Sequence, residues 1–156
     1  MTAVLALGSN LGDRLAALLS AVEILRPFKV SSVWETTPVG GVEQGDFLNA
    51  VVLADLPAAQ AWSLAQSAER AAGRTREFRW GPRTLDVDLV WAEGWDGELD
   101  PELDLPHPRA HERAFVLLPW LEVDPDAVLP GRGRVDLLAA SLDTSGVHRR
   151  DDLALS

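Results

Sequence analysis

Asp86 and Asp88 stand two residues apart in the run RWGPRTLDVDL (79–89), where apolar Leu85, Val87 and Leu89 alternate with polar Thr84, Asp86 and Asp88. The alternation predicts a half-buried strand over 84–91, so both carboxylates leave one face with α-carbons about 7 Å apart. Such a pair offers the oxygen ligands that a hard cation such as Mg²⁺ takes, the remainder coming from water and phosphate. The plain alternative is the wet face of a strand, where any polar residue serves. Just upstream come Arg74, Arg76, Arg79 and Arg83, with Glu77 the single acid between them. Guanidinium groups meet phosphate oxygens through paired N–H donors. Salt bridges to downstream acids are the alternative, because residues 84–104 hold eight acids and no base. The separation of sign favours phosphoryl chemistry, which needs metal on the phosphates and arginine on the developing charge. Trp80 interrupts the arginines, placed either to stack on a planar ligand or to anchor its loop.

A second group suits a heterocycle. Asn49 sits inside the apolar stretch Phe47, Leu48, Ala50, Val51, where a buried amide is costly unless paired. Its donor and acceptor together match an amidine or lactam edge. Phe47 lies two residues earlier on the same strand face. A core aromatic with a satisfied amide is the simpler account. His107 and Arg113 read as polar groups able to meet phosphate, although His107 in Pro106-His107-Pro108 also reads as an ordinary loop histidine. His107 and His111 do not form a zinc helix, because position 115 is Phe and no HExxH motif results. Gly8-Ser9-Asn10-Leu11-Gly12-Asp13 follows a strand and opens a helix without being a known phosphate loop. Its expected role is structural, with Ser9 or Asn10 as the cap.

The elements that must carry these residues follow from periodicity. Residues 3–7 read as a buried strand and 13–25 as an amphipathic helix stopped by Pro27, followed by strands at 30–35 and 47–53. A second helix is expected from Pro57 to Ala72 with Gly73 at its end, then the strand at 84–91. The order β-α-β-β-α-β predicts an α+β fold, a ferredoxin-like sandwich with helices on one face of an antiparallel sheet. Residues 114–123 are apolar and buried in some form, and 135–142 suggest a last short helix in an irregular C-terminal extension. The 156 residues suit one domain. Zero cysteines exclude a disulfide scaffold and a thiolate site, and the net charge of −10 argues against nucleic acid or an anionic membrane as partner. Yet residues 70–83 carry five arginines and one glutamate, so the global charge says nothing against a phosphate ligand brought in with its metal. Met1 to Leu7 enters a short apolar run with no basic region, unlike a secretory signal, so a cytoplasmic protein is expected.

Taken together, the run RWGPRTLDVDL, preceded by ERAAGRTRE (69–77) and followed by LPHPRAHERAFVLLPW (105–120), resembles the 6-hydroxymethyl-7,8-dihydropterin pyrophosphokinase family of folate biosynthesis. LALGSNLGD (5–13) and ETTPVGGVEQGDFLNAVV (35–52) are similar to that family too. The resemblance covers 3–130 of a single domain spanning 1–156, leaving 131–156 as a peripheral tail. It implies a pyrophosphokinase that moves the terminal pyrophosphoryl group of ATP to the pterin hydroxymethyl oxygen and releases AMP. It implies two Mg²⁺ ions with ATP, both held by Asp86 and Asp88, which count as catalytic with Arg74 and Arg83. Gln66, Glu69, Arg74, Arg76, Arg83, His107 and Arg113 match ATP contacts. Thr37, Pro38, Val39, Gly40, Phe47, Asn49 and Phe115 match the pterin pocket, with the ring between Phe47 and Phe115. Arg76, Arg79 and Trp80 match a loop that closes over both substrates. Phe47 departs from the family, which often carries Tyr there, so an aromatic face is kept and a hydroxyl lost. A monomer with small-molecule substrates only is expected.

Two other classes fit parts of the pattern: a metal-dependent glycosyltransferase using the Asp-x-Asp pair, and a non-catalytic anion-binding module. The first usually needs a longer chain with a Rossmann-like pattern. Arg83→Ala separates catalysis from mere binding. It should slow turnover by about 100-fold, as loss of a transition-state donor does, and an unchanged rate in a steady-state assay would sink that role.

Overall fold

The computed structural model describes residues 1–37, 46–73, 85–95, 97 and 103–155. Strand β1 (Thr2–Ser9) is buried from Ala3 onward. A strand so apolar on both alternating sets must be covered on both faces. Ala3, Leu5 and Leu7 pack with helices α1 (Arg14–Leu25) and α2 (Ala58–Gly73). Val4 and Ala6 face the other way, where helix α3 (Ala114–Val123) brings Val116, Leu117 and Trp120. The expectation of helices on one face therefore needs correction. The stretch 114–123 is apolar all round because it is a helix pressed between the sheet and the C-terminal elements.

The sheet is antiparallel throughout. β1 lies between β4 (Phe47–Asp55) and β5 (Asp86–Ala92), and β4 is flanked beyond by β2 (Lys29–Val30) and β3 (Trp34–Thr36). This is the strand order of the ferredoxin-like sandwich. One expected strand, 30–35, is two short ones. Val51 donates its backbone N–H to Ser31 Oγ at 2.9 Å, and that hydroxyl donates on to Ser32 O at 2.7 Å. A side chain thus takes the place of a ladder partner and breaks the strand. The cap also differs from expectation. Asp13, not Ser9 or Asn10, accepts from Ala16 N at 3.0 Å to start α1, while Ser9 Oγ is buried with no partner among the described residues. At the other end Arg26, in a left-handed conformation, closes α1 before Pro27, as the sequence predicts.

The C-terminal stretch builds on this frame. A small hairpin, β6 (Val128–Leu129) and β7 (Gly133–Arg134), leads to helix α4 (Val135–Ala140) and then strand β8 (Val147–Arg149), which pairs with β3 at the sheet's outer edge. Leu155 returns to the core beneath α1 and α2. Among the described residues, no helix is long and apolar enough to cross a membrane.

Glu35 ties three of these elements together. Arg14, at the start of α1, donates to its carboxylate at 2.8 Å and to Asp46 O at 2.8 Å. Arg150, just past β8, donates to Glu35 at 3.2 Å and forms a paired contact with Asp152 at 2.9 and 2.8 Å. The ends of β3 and β4 are thereby gripped by one guanidinium. The Arg14 hydrogen bond holds the Glu35 carboxyl below its ordinary 4.5, against the opposing pull of burial. A carboxyl depressed in the folded state stabilises fully above its unfolded value, and that stability fades as pH falls through the folded one. Glu35→Gln should therefore lower the melting temperature near neutral pH, with the gap from wild type narrowing below about pH 4. Thermal melts across that range check this, and a constant gap would assign the clamp to packing alone.

Candidate active site

Antiparallel pairing brings the end of β1 beside the beginnings of β4 and β5. Gly8 pairs with Asn49 on one side and Asp86 on the other, and one step along Ala6 pairs with Val51 and Asp88. Asn49, Gly8 and Asp86 therefore form a row across one face. Trp34 extends it on the far side of Asn49. Helix α3 covers the rest of that face. Its last turn is fastened by Glu122, which accepts from Ser32 Oγ at 2.7 Å and from the Trp34 indole N–H, and by Lys29 donating to Val123 O at 3.1 Å. Its first turn stands over the row, carrying Arg113 and Phe115.

The result is a cleft of about 340 Å³ lined by Gly8, Thr36, Thr37, Phe47, Asn49, Asp86, Asp88, Arg113 and Phe115 together with Ala6, Leu7 and Val116. The floor is made by a missing side chain. A Cβ on Gly8 would sit 3.2 Å from Asn49 Nδ2 and 3.8 Å from Phe47 Cδ1. Asn49 is only 7% exposed, and its Oδ1 accepts from Thr36 Oγ1 at 2.6 Å. At the opposite end Arg113 lies 3.6 Å from Asp88 and 5.5 Å over the Phe115 ring. Carboxylate and π-face hold the guanidinium in place, and no other side-chain partner takes its donors among the described residues.

The sequence-predicted residues divide into three sets. Thr37, Phe47, Asn49, Asp86, Asp88, Arg113 and Phe115 come together in the cleft. Glu69 reaches the open edge of β5 from α2, accepting from Val87 N at 3.0 Å between the two aspartates, with Gln66 one turn earlier on the helix. His107 is anchored beside β5 by its N–H to Val90 O at 2.9 Å. Its Nδ1 accepts from Arg109 N at 3.3 Å, so Nε2 carries the proton of the neutral ring. Burial lowers its pKa, opposed by the Asp88 charge. Pro38, Val39, Gly40, Arg74, Arg76, Arg79, Trp80 and Arg83 lie outside the described residues. Sequence reasoning missed Gly8 and Thr36. A glycine in a strand signals close approach of another group, but Thr36 gives no signal until the strand register is known.

Asp86 and Asp88 can hold a divalent cation. Among the described residues no third His, Asp or Glu completes a metal cluster. Two carboxylates on an open cleft suit Mg²⁺, which keeps water and substrate oxygens as ligands rather than an all-protein cage.

Residues 4–125 match the family of 7,8-dihydro-6-hydroxymethylpterin-pyrophosphokinase, HPPK. The chain belongs to this family. An HPPK relative in Mycobacterium leprae, named 2-amino-4-hydroxy-6-hydroxymethyldihydropteridine pyrophosphokinase, is 53% identical over 157 residues, covering 90% of this chain and 82% of its own. Proteins of the same name in Mycobacterium tuberculosis and Bacillus subtilis are 50% and 44% identical, with 83% and 78% of this chain and 76% and 77% of theirs covered. A solved Plasmodium falciparum HPPK-DHPS wild type with STZ-DHP shares the fold at a TM-score of 0.63 and 13% identity, over 89% of this chain and 42% of that one. The chain thus spans less than half of that solved protein. HPPK membership makes the chain an enzyme, a diphosphotransferase, and the glycosyltransferase and anion-binding readings give way to it.

Gly8→Ala should weaken binding of hydroxymethylpterin, the ring the sequence resemblance implies, by about tenfold, as about 1–2 kcal/mol of overpacking does. Titration followed by ring fluorescence measures it. Unchanged affinity would show that the Gly8 floor is not the binding surface.

Proposed function

We propose that this chain transfers the terminal pyrophosphoryl group of ATP to 6-hydroxymethyl-7,8-dihydropterin in folate biosynthesis. The hydroxymethyl oxygen forms a bond to the β-phosphorus, the bond from that phosphorus to the α-phosphate oxygen breaks, AMP leaves, and the hydroxyl proton passes to solvent. One observation carries the reading. The row Asn49–Gly8–Asp86 sets a heterocycle-binding amide and a carboxylate pair two strands apart, about 10 Å at the α-carbons. A bicyclic ring with a one-carbon arm bridges such a span. The relatives' names, which print a hydroxymethyldihydropteridine and a pyrophosphokinase, support this reading.

Each residue then has a part. Phe47 and Phe115, on separate elements of the cleft, take the two faces of the ring, and Asn49 pairs with its edge. Thr37 lines the ring's far side, and the parts of Pro38, Val39 and Gly40 there rest on the sequence match alone. Asp86 and Asp88 would hold two Mg²⁺ ions, which when bound neutralise the phosphate oxygens and align them for in-line transfer. Arg113 and the Nε2–H of His107 donate to phosphate, and Glu69 and Gln66 serve the nucleotide from α2. The parts of Arg74 and Arg83 on the phosphates, and of Arg76, Arg79 and Trp80 in the closing loop, rest on the sequence match alone. Holding hydroxyl and phosphorus in line supplies most of the acceleration, since little activation of the hydroxyl is needed.

Incubation with Mg-ATP and hydroxymethyldihydropterin, followed by nucleotide analysis, should give AMP only when the pterin is present. ADP, or tight ATP binding without turnover, would reject the reaction. In the same assay Asp88→Ala should lose turnover far more than pterin affinity, and near-normal turnover would refute its metal role.

A further inference from the structure

We infer that Thr36 fixes which way round the Asn49 carboxamide faces the cleft, and so makes the site select a lactam edge over an amidine edge. The inference rests on the pterin reading above and deepens it. An amide has two nearly isosteric ends of opposite hydrogen-bonding sense. In solution it turns freely, but Asn49 is buried between Leu48 and Ala50 in a strand flanked by Gly8. Thr36 Oγ1 donates to Asn49 Oδ1 at 2.6 Å, which occupies one lone pair and fixes the oxygen end toward β3. The nitrogen end is directed over Gly8, where a side-chain Cβ would already be 3.2 Å away. Nδ2 has no acceptor among the described residues, so its N–H groups meet whatever fills the cleft.

The hydroxyl is itself held. Thr36 is β-branched and stiff at χ1, and its backbone is laddered to Phe47 on one side and Val147 on the other. Its neighbour Glu35 is gripped by Arg14 and Arg150. Among the described residues Asn49 Oδ1 is the acceptor that this hydroxyl proton meets; with the amide reversed, Nδ2 would meet Oγ1 instead and that proton would lose its acceptor.

Fixed order is what discriminates. A lactam edge offers C=O then N–H, matched by Nδ2–H then the second lone pair of Oδ1. A 4-amino ring presents the reverse, a donor where the lactam has its acceptor. The ring cannot turn over to compensate, because its hydroxymethyl arm has to point at Asp86 and Asp88. Thr36 is therefore a positioning residue for ring selectivity, acting through Asn49.

The test compares equilibrium binding of 6-hydroxymethylpterin and its 4-amino analogue to wild type, Thr36→Val and Thr36→Ser, with pterin turnover measured in parallel. Thr36→Val should lose about tenfold in pterin affinity, the scale of one buried hydrogen bond. Its preference over the 4-amino ring should collapse toward unity, with the KM for ATP and the melting temperature little changed. Thr36→Ser, which keeps the hydroxyl, should retain both affinity and preference. An unchanged ratio in Thr36→Val, or equal loss for both rings, overturns the inference while leaving the pyrophosphokinase reading intact. A wild type that neither binds nor converts the pterin overturns both.

Discussion

The register of β1 against its two neighbours is the constraint on which the cleft depends. Strand side chains alternate with period two, so a slip of one residue would turn Gly8 and Ala6 into the core and push Leu7 onto the floor. The register is held from below by Ala3, Leu5 and Leu7 packing under α1 and α2, and from above by Val4 and Ala6 against α3. Burial of each large side chain in such a core contributes about 1.5–3 kcal/mol. The apolar core thus enforces the alignment of Asn49, Gly8 and Asp86, and the polar site inherits its geometry from hydrophobic packing.

Charge is arranged by the same frame. Arg113 is the first residue before α3, and it meets Asp88 because that helix is pinned at its far end by Glu122, Ser32 and Lys29. β5, the strand with both aspartates, lies at the sheet's edge, and Glu69 from α2 takes up the Val87 N–H there. Carboxylates on the cleft side and a carboxylate on the edge gather acidic groups along this strand. Under the proposed function a bound cation would offset that charge, which reconciles an acidic chain with phosphate chemistry.

Much of this was legible in the sequence, and for identifiable reasons. Alternation in 84–91 gave the common face of Asp86 and Asp88, and the isolated amide of Asn49 in an apolar run marked the second half of the site. The order of helices and strands gave the sandwich. What escaped depends on long-range pairing. The hydrogen bond between Thr36 and Asn49 joins different strands, and neither residue's neighbours announce it. Ser31 breaks a strand through a hydroxyl that meets Val51 twenty residues on. Helix α3 reads as merely apolar, because a segment buried on every side has no amphipathic stripe to reveal its period. The polar stretch after Asp143 gave no hint that Arg150 would reach Glu35, since an ion pair across 115 positions leaves no local trace.

The bare floor at Gly8 has a consequence for how this cleft could change under selection by an inhibitor. A common route to resistance is to enlarge a wall residue so that the drug clashes while the substrate still fits. Here the atoms nearest to any added methyl belong to Asn49 and Phe47, the groups proposed above to hold the ring. Bulk at the floor displaces what the substrate and a ring-shaped inhibitor share, so neither can be refused alone. On that reading, discrimination between the two is left to the far end of the cleft, where Arg113 lies beside Asp88.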